Sequence, residues 1–514
     1  MFVIGNKKLS FKEICKILVN EEIIDIDKDQ LKKVVESFNF LEEFLQNKLI
    51  YGINTGLGPM AQYKVNSEDR IQLQYNAIRS HSAGSGNHLN SLHTRAALLA
   101  RLLTISKGYS GVNKDVILLL IEFINKGIYP LIPQHGGVGA SGDLVQLAHL
   151  ALALIGEGDV SYKGNVIPAE DVFKKLNLKP FEIKIREGLS LINGTSVMTG
   201  IAAINTYQAY ILLEWSILAT SLINEIVQSF DDHFSKELNS VKHHNGQQFI
   251  AEKMREILKD SKLIRNRSEH LYDKEINESL LKDKVQEYYS LRCVPQILGP
   301  IFDAIKTTEF VVLNEINSVS DNPIVDVENQ NVFHGGNFHG DYISFEMDKL
   351  RLAITKLSML SERQLNYLVN PRLNDILPPF VNLGKLGLNF GVQGMQFTAT
   401  STVAENQMLS NSMYVHSISC NNDNQDIVSM GTNAALMTAR TIENSFEVLA
   451  IEWITLLQAV DYLKIQSKLS SKTSKAYKEL RKLVPVFVED SVKYKDIKAV
   501  KDFLIASKPN IIEI

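Results

Sequence analysis

PLIPQHGGVGASGDLVQLAHLALALIGEG, residues 130–158, joins a glycine-rich loop directly to an apolar segment. Apolar residues recur at helical spacing over Leu144–Leu154, so a helix is predicted to begin just after the loop. Ser141 or Asp143 could cap that helix, but a cap needs only one such residue. Capping therefore does not explain why three small residues, Ala140-Ser141-Gly142, stand together inside the loop.

The same loop contains a G-x-G-x-x-G pattern in Gly137, Gly139 and Gly142. That pattern indicates dinucleotide binding only where it connects a strand to a helix in a βαβ unit. Here Pro130 and Pro133 stand where a hydrophobic strand would be needed, and no Gly-Lys-Ser/Thr follows. We therefore expect neither a nucleotide cofactor nor a phosphate loop.

The rest of the sequence is typical of a mainly α fold. No proline occurs between Pro180 and Pro295, which permits very long helices. Strands do not alternate with helices, so a parallel α/β sheet is not expected. A small hairpin is predicted over 160–168 around Gly164, and FEIKIRE (181–187) could form a strand. Helical spacing also recurs over 31–45, 71–78, 96–105, 312–316, 347–368 and 442–463.

Two domains are expected: a loop-rich N-terminal domain over 1–200 that carries the glycine-rich loop, and a long-helix core domain over 201–514 with a peripheral C-terminal segment. The most apolar segment, 196–230, is interrupted by Asn205, Gln208 and Glu214. It is therefore interpreted as a buried core helix and not as a membrane span.

Composition excludes some classes of protein. The 514 residues include 54 basic and 58 acidic side chains, for a net charge of -4, and no domain is strongly basic. Nucleic acid is therefore not an expected partner. Cys15, Cys293 and Cys420 are odd in number and far apart, which argues against a disulfide framework and fits the cytoplasm. The start, MFVIGNKKLSF, lacks the pattern of a secretory signal.

The three small residues suggest a chemical role for the loop. If the chain bends tightly, the amide nitrogen of Gly142 can attack the carbonyl carbon of Ala140, because glycine has no Cβ and tolerates strained dihedrals. Loss of two waters, one of them with the Ser141 hydroxyl, leaves a ring with an exocyclic methylene. Such a methylene is an electrophile that no ordinary side chain supplies. The helix N-terminus that follows can stabilise negative charge on the ring.

GGVGASGDLVQLAHLAL (136–152) resembles the signature of the aromatic amino acid ammonia-lyase family, which includes histidine, tyrosine and phenylalanine ammonia-lyases and related aminomutases. The resemblance implies that Ala140, Ser141 and Gly142 form 4-methylidene-imidazol-5-one (MIO) autocatalytically, with no metal. It also implies a long-helix bundle of the aspartase/fumarase type. The expected assembly is a homotetramer with active sites shared between chains, and the expected partner is an aromatic amino acid.

The resemblance also assigns roles outside this loop. YGINTGLGPMA (51–61) alone would be a glycine turn with a buried tyrosine, but the family pattern makes Tyr51 the catalytic base and puts Gly58 at the substrate. Because the ordinary pKa of tyrosine is about 10, nearby amide dipoles or cations must favour the phenolate. Asn193, in LINGTSVMTG (191–200), would hold the ring and the substrate amine, since an amide both donates and accepts.

VQEYYSLRCVPQILG (285–299) contains Gln286, Tyr289 and Arg292. If this stretch is helical, Tyr289 and Arg292 share a face, which alone would indicate only a surface pair. The resemblance assigns Arg292 to the substrate carboxylate, through paired hydrogen bonds, and puts Tyr289 and Gln286 at the substrate, with Tyr289 assisting the base.

HGGNFHGDYIS (334–344) matches a family motif in which the phenylalanine, here Phe338, packs under the ring. His334 and His339 of the same segment could suggest a metal site. Their spacing offers neither a clear third ligand nor an H-E-x-x-H pattern, so a metal is the weaker interpretation.

Two positions bear on the substrate. Ser80-His81, in IRSHSAG (78–84), resembles histidine ammonia-lyases, although imidazole can also bind a phenol hydroxyl. In NNDNQDIVSMG (421–431), Gln425 stands where histidine lyases typically have a glutamate that engages the substrate imidazole. The missing charge-assisted hydrogen bond would be worth about 1.5–3 kcal/mol, so affinity for histidine should fall. Asn421 and Asn424 are expected to line the same pocket.

Tyrosine satisfies both signals, because a neutral amide suits an uncharged ring and His81 suits a polar para substituent. Over its length the chain resembles tyrosine ammonia-lyases of the flavobacterial type. The predicted reaction converts L-tyrosine to trans-4-coumarate and ammonia. Histidine ammonia-lyase, tyrosine 2,3-aminomutase and a helical scaffold protein whose loop never cyclises remain as alternatives.

Overall fold

Helices dominate the computed structural model, which describes residues 1–5, 7–273, 279, 281 and 284–513. The helices before residue 230 are α1 Phe11–Val19, α2 Lys28–Phe44, α3 Arg70–His81, α4 Ser91–Ile105, α5 Lys114–Lys126, α6 Leu144–Leu154, α7 Ala169–Leu176, α8 Glu187–Ile192 and α9 Ser196–Ile226. Those after it are α10 Lys236–Ser240, α11 Asn245–Leu258, α12 Tyr289–Arg292, α13 Val294–Ile316, α14 Asp341–Val369, α15 Pro371–Asn374, α16 Gln393–Leu409, α17 Gly431–Leu463, α18 Ser471–Arg481 and α19 Tyr494–Ala506.

The described strands are short and form small separate sheets. β1 Phe2–Ile4 and β2 Ile24–Ile26 pair in parallel. The other pairings are antiparallel: β3 Ser85–His88 with β5 Pro133–His135, β4 Ile128–Pro130 with β6 Asp159–Tyr162, β6 with β7 Asn165–Pro168, and β8 Ile324–Asp326 with β9 Asn331–Phe333. A mainly α fold is thus confirmed.

Two local predictions around the glycine-rich loop are confirmed. The helix expected over Leu144–Leu154 is α6, with those bounds. The expected hairpin is β6 and β7, and its turn contains Gly164 with φ +79°. That left-handed conformation favours glycine, which explains why the turn falls there.

The strand suggested over 181–187 is wrong. The backbone N–H groups of Lys184 and Ile185 donate to the Glu187 carboxylate at 3.0 and 2.9 Å, and that of Ile183 donates to the Tyr75 hydroxyl at 3.3 Å. Since these amides already have side-chain partners, they do not form a strand ladder, and Glu187 itself begins α8.

Among the described residues, α9 is the helix that is long and apolar enough to cross a membrane. Its apolar window is completely buried inside the protein, which is typical of a core helix. This burial agrees with the interpretation from sequence, and the helix begins at Ser196.

The chain forms two compact units that are discontinuous in sequence. Unit 1 comprises Met1–Tyr207, Thr308–Asp348 and Ser412–Ala439, and unit 2 comprises Gln208–Thr307, Lys349–Asn411 and Arg440–Ile514. This division differs from the single boundary expected at residue 200. The reason is that the four long helices α9, α13, α14 and α17 each begin in one unit and end in the other.

Candidate active site

The Ala140-Ser141-Gly142 loop lies in unit 1 and folds back on itself. The Gly139 N–H donates to the Gly142 carbonyl oxygen at 3.2 Å, which closes the loop around the tripeptide. Gly142 has φ +70°, and a Cβ there would lie 1.9 Å from the Gly194 carbonyl oxygen. Only glycine therefore fits this position, and the tight bend that ring formation requires is present.

A second backbone segment, the turn at Gly194, holds the same loop. The Gly194 N–H donates to the Ser141 carbonyl oxygen at 3.4 Å, and the Asp143 N–H donates to the Gly194 carbonyl oxygen at 2.8 Å. Gly194 has φ +140°, and a Cβ there would lie 2.2 Å from the Arg101 guanidinium. The Asn193-Gly194 turn and the tripeptide are thus fixed against each other. The donors, the acceptors and the space around these residues fit the five-membered ring expected from the sequence.

Asp143 caps a different helix from the one next to it. It occupies the N-cap position of α6, but its side chain makes no capping hydrogen bond there. Its carboxylate instead accepts the Val197 and Met198 N–H groups of α9, at 2.8 and 2.9 Å, together with the Thr432 hydroxyl. Burial raises the pKa of Asp143 to about 6, against those three hydrogen bonds and the charge of Arg101, which lower it.

Arg101 holds the backbone of Asn193. This completely buried side chain donates to the carbonyl oxygens of Ser190 and Asn193 at 2.7 and 2.8 Å and to the Ser196 hydroxyl at 2.9 Å. Burial lowers its pKa to about 10, so it remains charged at neutral pH. The side-chain Nδ2 of Asn193 donates to the Ser141 carbonyl oxygen at 3.4 Å. Its Oδ1 is buried without a partner among the described residues. That oxygen is an available acceptor beside the loop.

Tyr51 has an environment that suits a base. The Gly58 N–H donates to the Tyr51 phenol oxygen at 2.9 Å, so a backbone donor fixes the position of this oxygen. The Tyr51 backbone N–H donates to His334 Nε2 at 3.4 Å. Partial burial, and then the charge of Arg186, lowers the pKa of His334, which suits its role as an acceptor. Gly58 has φ +52°, and a Cβ there would lie 2.9 Å from Asn421 Nδ2.

Gln74, a completely buried residue of α3, is a site residue that was not predicted from the sequence. Its Nε2 donates to the Gly52 carbonyl oxygen at 2.7 Å, and its Oε1 accepts the Leu189 N–H at 2.9 Å. It thereby ties the Tyr51 loop to α8, the helix that leads to Asn193. The available signal was a glutamine on the same helical face as the buried Ala77 and Ile78.

His81 is the last residue of α3. Its Nδ1 lies 2.7 Å from the Ala77 carbonyl oxygen and 3.2 Å from the Ser80 hydroxyl. Because a carbonyl only accepts, we assign the proton to Nδ1, which leaves Nε2 as an acceptor in the neutral ring. His81 follows Gln74 by seven residues, so the two share a face of the helix. Their Cα atoms lie about 10 Å apart along the helix axis. α3 also packs against α6 and α8.

A left-handed turn brings Gln425 to the tripeptide. Asn421, Asn422 and Asp423 have φ values of 57°, 51° and 56°, which Asn and Asp tolerate better than most residues. The backbones of Cys420 and Gln425 close the turn with two hydrogen bonds of 3.2 and 3.3 Å. Gln425 Nε2 then donates to the Ser141 hydroxyl at 3.0 Å. Asn424 lies in the same turn, and its N–H donates to the Asn421 oxygen at 3.2 Å.

The segment that contains Phe338 contacts the tripeptide loop through a backbone hydrogen bond. The Gly340 N–H donates to the Gly139 carbonyl oxygen at 3.0 Å, and Phe338, two residues earlier, is half-buried. His339 Nε2 lies 3.3 Å from the Ile427 oxygen, and its Nδ1 lies 3.5 Å from Asp341. In the part of the chain that the structure describes, no group of three or more His, Cys, Asp or Glu side chains could hold a metal ion.

Gln286, Tyr289 and Arg292 belong to unit 2, and they are not part of the unit 1 cluster. Tyr289 and Arg292 lie on α12, where the guanidinium is 4.7 Å from the Tyr289 ring centroid. This confirms that the two share a face. Arg292 also donates to the Gln286 amide oxygen. Tyr289 is 70% exposed within unit 2.

Comparison with known proteins gives matches over nearly the whole chain. A model of the family described as aromatic amino acid lyase matches residues 9–482. A tyrosine 2,3-aminomutase from Chondromyces crocatus is 36% identical over 511 residues, which covers 98% of this chain and 96% of that protein. A histidine ammonia-lyase from Bacillus subtilis is 37% identical over 505 residues, with 98% and 96% covered. The crystal structure of a tyrosine aminomutase from Streptomyces globisporus superposes with a TM-score of 0.94 at 34% identity, over 98% of this chain and 96% of that one.

Proposed function

This chain belongs to the aromatic amino acid lyase family, and we propose that it is a tyrosine ammonia-lyase that converts L-tyrosine to trans-4-coumarate and ammonia. Family membership makes the protein a carbon–nitrogen lyase with a mainly α, helical-bundle fold. The family acts on aromatic amino acids, and the choice of tyrosine is ours.

The cofactor of the proposed reaction is MIO, formed from Ala140, Ser141 and Gly142. When present, it supplies an electrophilic methylene that binds the substrate amine and makes it a better leaving group. The single observation that carries the proposal is the folded-back tripeptide, closed by Gly139 and held by Gly194. Asn193 would hold the ring and the amine, because its Nδ2 donates to the Ser141 carbonyl oxygen and its Oδ1 is an available acceptor.

Tyr51 acts as the base that removes the proton from the substrate Cβ. The Gly58 N–H donates to its phenol oxygen and fixes the position of that oxygen for the proton transfer. Gln74 and His334 keep the Tyr51 loop in place through Gly52 and the Tyr51 amide. Tyr289 would assist the base, and Phe338 would pack under the ring.

His81 and Gln425 select the side chain of the substrate. His81 Nε2 can accept the hydrogen bond of a phenol, whereas a bare phenyl ring would leave this acceptor without a partner. Gln425 offers a neutral amide, which lacks the negative charge that would favour a protonated imidazole. Together these residues favour tyrosine over phenylalanine and histidine. Asn421 and Asn424 complete this wall of the site.

The carboxylate of the substrate would bind Arg292, supported by Gln286. A guanidinium matches a carboxylate with two parallel hydrogen bonds. The accompanying assembly is a homotetramer in the cytoplasm, with active sites shared between chains. Size-exclusion chromatography with light scattering tests the tetramer, and Arg292→Lys should raise KM for tyrosine by loss of the paired contact.

A substrate panel on purified protein tests the proposal. Intact mass should be lower than the sequence mass by two waters, and tyrosine should give coumarate with a higher kcat/KM than phenylalanine or histidine. In Ser141→Ala, coumarate formation should be lost. Coumarate production at near-wild-type rate by that variant would refute the lyase chemistry.

Two other activities have specific support. The similarity to tyrosine aminomutases favours a tyrosine 2,3-aminomutase, which would return the ammonia to give β-tyrosine. The similarity to histidine ammonia-lyases, together with Ser80-His81, favours formation of urocanate from histidine. Separation of coumarate, β-tyrosine and urocanate in the same panel distinguishes all three.

A further inference from the structure

We propose that Gln425 helps to form the cofactor, by positioning the Ser141 hydroxyl for its departure as water, and that Cys420 fixes the orientation of the Gln425 amide. This inference rests on the proposed MIO chemistry. It assigns Gln425 a task that precedes any contact with substrate.

The contact between Gln425 and Ser141 has a direction. The Gln425 amide nitrogen lies 3.0 Å from Ser141 Oγ, and an amide NH₂ can donate but not accept. The Ser141 oxygen must therefore accept this hydrogen bond. An N–H aimed at this oxygen withdraws electron density from the Cβ–Oγ bond, and that is the bond which has to break.

Cys420 determines which end of the amide faces Ser141. The Cys420 sulfur lies 3.5 Å from Gln425 Oε1, so the thiol donates to the amide oxygen. The two backbone hydrogen bonds between Cys420 and Gln425 keep the side chains side by side. A reversed amide would put Oε1 next to Ser141. The serine hydroxyl would then donate its hydrogen, which makes its oxygen a poorer leaving group.

The chemical step is balanced without another reactant. After the Gly142 nitrogen has bonded to the Ala140 carbonyl carbon and that carbonyl oxygen has left as water, Ser141 loses its Cα proton. The electron pair forms the Cα=Cβ double bond, and the Cβ–Oγ bond breaks. The hydroxyl takes up a proton and leaves as the second water. Gln425 lowers the barrier of this second dehydration by stabilising charge on the departing oxygen.

This role is compatible with the part that Gln425 plays in substrate selection. Ser141 Oγ leaves as the second water, so the reaction itself removes the hydrogen-bond partner of Gln425 Nε2. The same amide is then available to the substrate. Gln425 would thus act first on the serine hydroxyl and afterwards on the side chain of the amino acid.

Mass spectrometry of newly made chains tests the proposal. Wild type, Gln425→Met and the exposed control Gln72→Met are synthesised in a cell-free system, and intact mass is followed with time. Methionine keeps the length of the side chain but has no N–H donor. We expect wild type and the control to lose two waters together. We expect Gln425→Met to accumulate the species that has lost one water and to lose the second about tenfold more slowly.

Variants of Cys420 test the orientation. Serine keeps a donor for Gln425 Oε1, so Cys420→Ser should mature close to the wild-type rate. Cys420→Ala removes the donor and should slow the second loss of water. Circular dichroism establishes whether each variant is folded. If Gln425→Met does not fold, the comparison of Cys420→Ser with Cys420→Ala still tests the orientation of the amide.

The outcomes separate this inference from the proposed function. Equal maturation of wild type and Gln425→Met, or accumulation of wholly unmodified chain in that variant, overturns the role of Gln425. Equal rates for Cys420→Ala and Cys420→Ser overturn the role of Cys420. A wild-type chain that never loses water refutes the MIO chemistry and this inference with it, whereas maturation of all the variants at the wild-type rate refutes this inference alone.

Discussion

Replacing Gln74 by leucine should damage both the stability of unit 1 and the position of the catalytic base. Gln74 is buried in α3 and joins the Gly52 carbonyl to the Leu189 N–H. Leucine is similar in size but can neither donate nor accept. The substitution would therefore leave two buried backbone groups without partners, one next to Tyr51 and the other in α8.

The expected loss of stability follows from those two groups. A buried polar group without a partner costs about 1–3 kcal/mol, so the pair costs roughly 2–6 kcal/mol. Burial of the leucine methyl groups offsets part of this, which leaves a net loss of roughly 1–4 kcal/mol. For a unit of this size, the loss corresponds to a decrease in Tm of roughly 2–7 °C. A displacement of Tyr51 by about 1 Å would lower kcat by up to about 100-fold.

Gln72→Leu is the matched control, because Gln72 lies on the same helix and its hydrogen bond to Asn76 is exposed. That change should alter stability by no more than about 0.5 kcal/mol. Differential scanning calorimetry and kcat for tyrosine are measured for both variants. If Gln74→Leu kept the Tm and kcat of Gln72→Leu, the connecting role of Gln74 would be refuted.

Three further changes test individual residues of the site. Tyr51→Phe should lower kcat by about 100-fold or more, while intact mass still shows the loss of two waters; an active variant would exclude Tyr51 as the base. His81→Leu should lower kcat/KM for tyrosine by about tenfold and leave that for phenylalanine equal or higher, and a parallel loss for both substrates would contradict the phenol contact. The pKa of Asp143 in the folded state, about 6, lies above its ordinary value. Between about pH 4 and 6, the folded state therefore keeps a proton on Asp143 that the unfolded state has already lost. Its contribution to stability therefore falls as pH rises through that window, by at most about 3 kcal/mol, and then becomes constant. The Tm difference between wild type and Asp143→Asn should follow that curve, and a flat difference would contradict the raised pKa.

Helices and residues of the tripeptide were predictable from sequence because both leave local patterns. Apolar spacing predicted α6, and the small residues of the loop predicted a bend at Gly142. The strand suggested over 181–187 failed because its alternation did not reveal that Glu187 and Tyr75 would bind the backbone N–H groups. Side-chain acceptors, one close in sequence and one far from it, can thus override the preference of a segment for a strand.

Long-range roles were not predictable in the same way. Asp143 follows the tripeptide and precedes α6, so the sequence indicated that either it or Ser141 caps α6. Only the fold brings it to the first turn of α9, more than 50 residues later. Gln74 carried a weaker signal, a polar residue on an apolar face, which does not identify the partners that it joins.

The junction between α8 and α9 explains why two buried charges are needed near an uncharged tripeptide. The end of α8 leaves carbonyl groups without helical partners, and Arg101 donates to those of Ser190 and Asn193. The start of α9 leaves N–H groups without partners, and the Asp143 carboxylate accepts those of Val197 and Met198. Each charge has the sign that suits its helix end.

The two charges also attract each other. Burial lowers the pKa of Arg101 and raises that of Asp143, and the charge of each group opposes that change in the other. Between them lies the Asn193-Gly194 turn, whose backbone is thereby fixed from both sides. Gly194 can then pair with Gly142 and Asp143 at constant geometry, and the tripeptide is held bent without any charge of its own. The rigidity that ring formation needs therefore comes from the helix ends around the loop, whose hydrogen bonds restrain a backbone with many glycines.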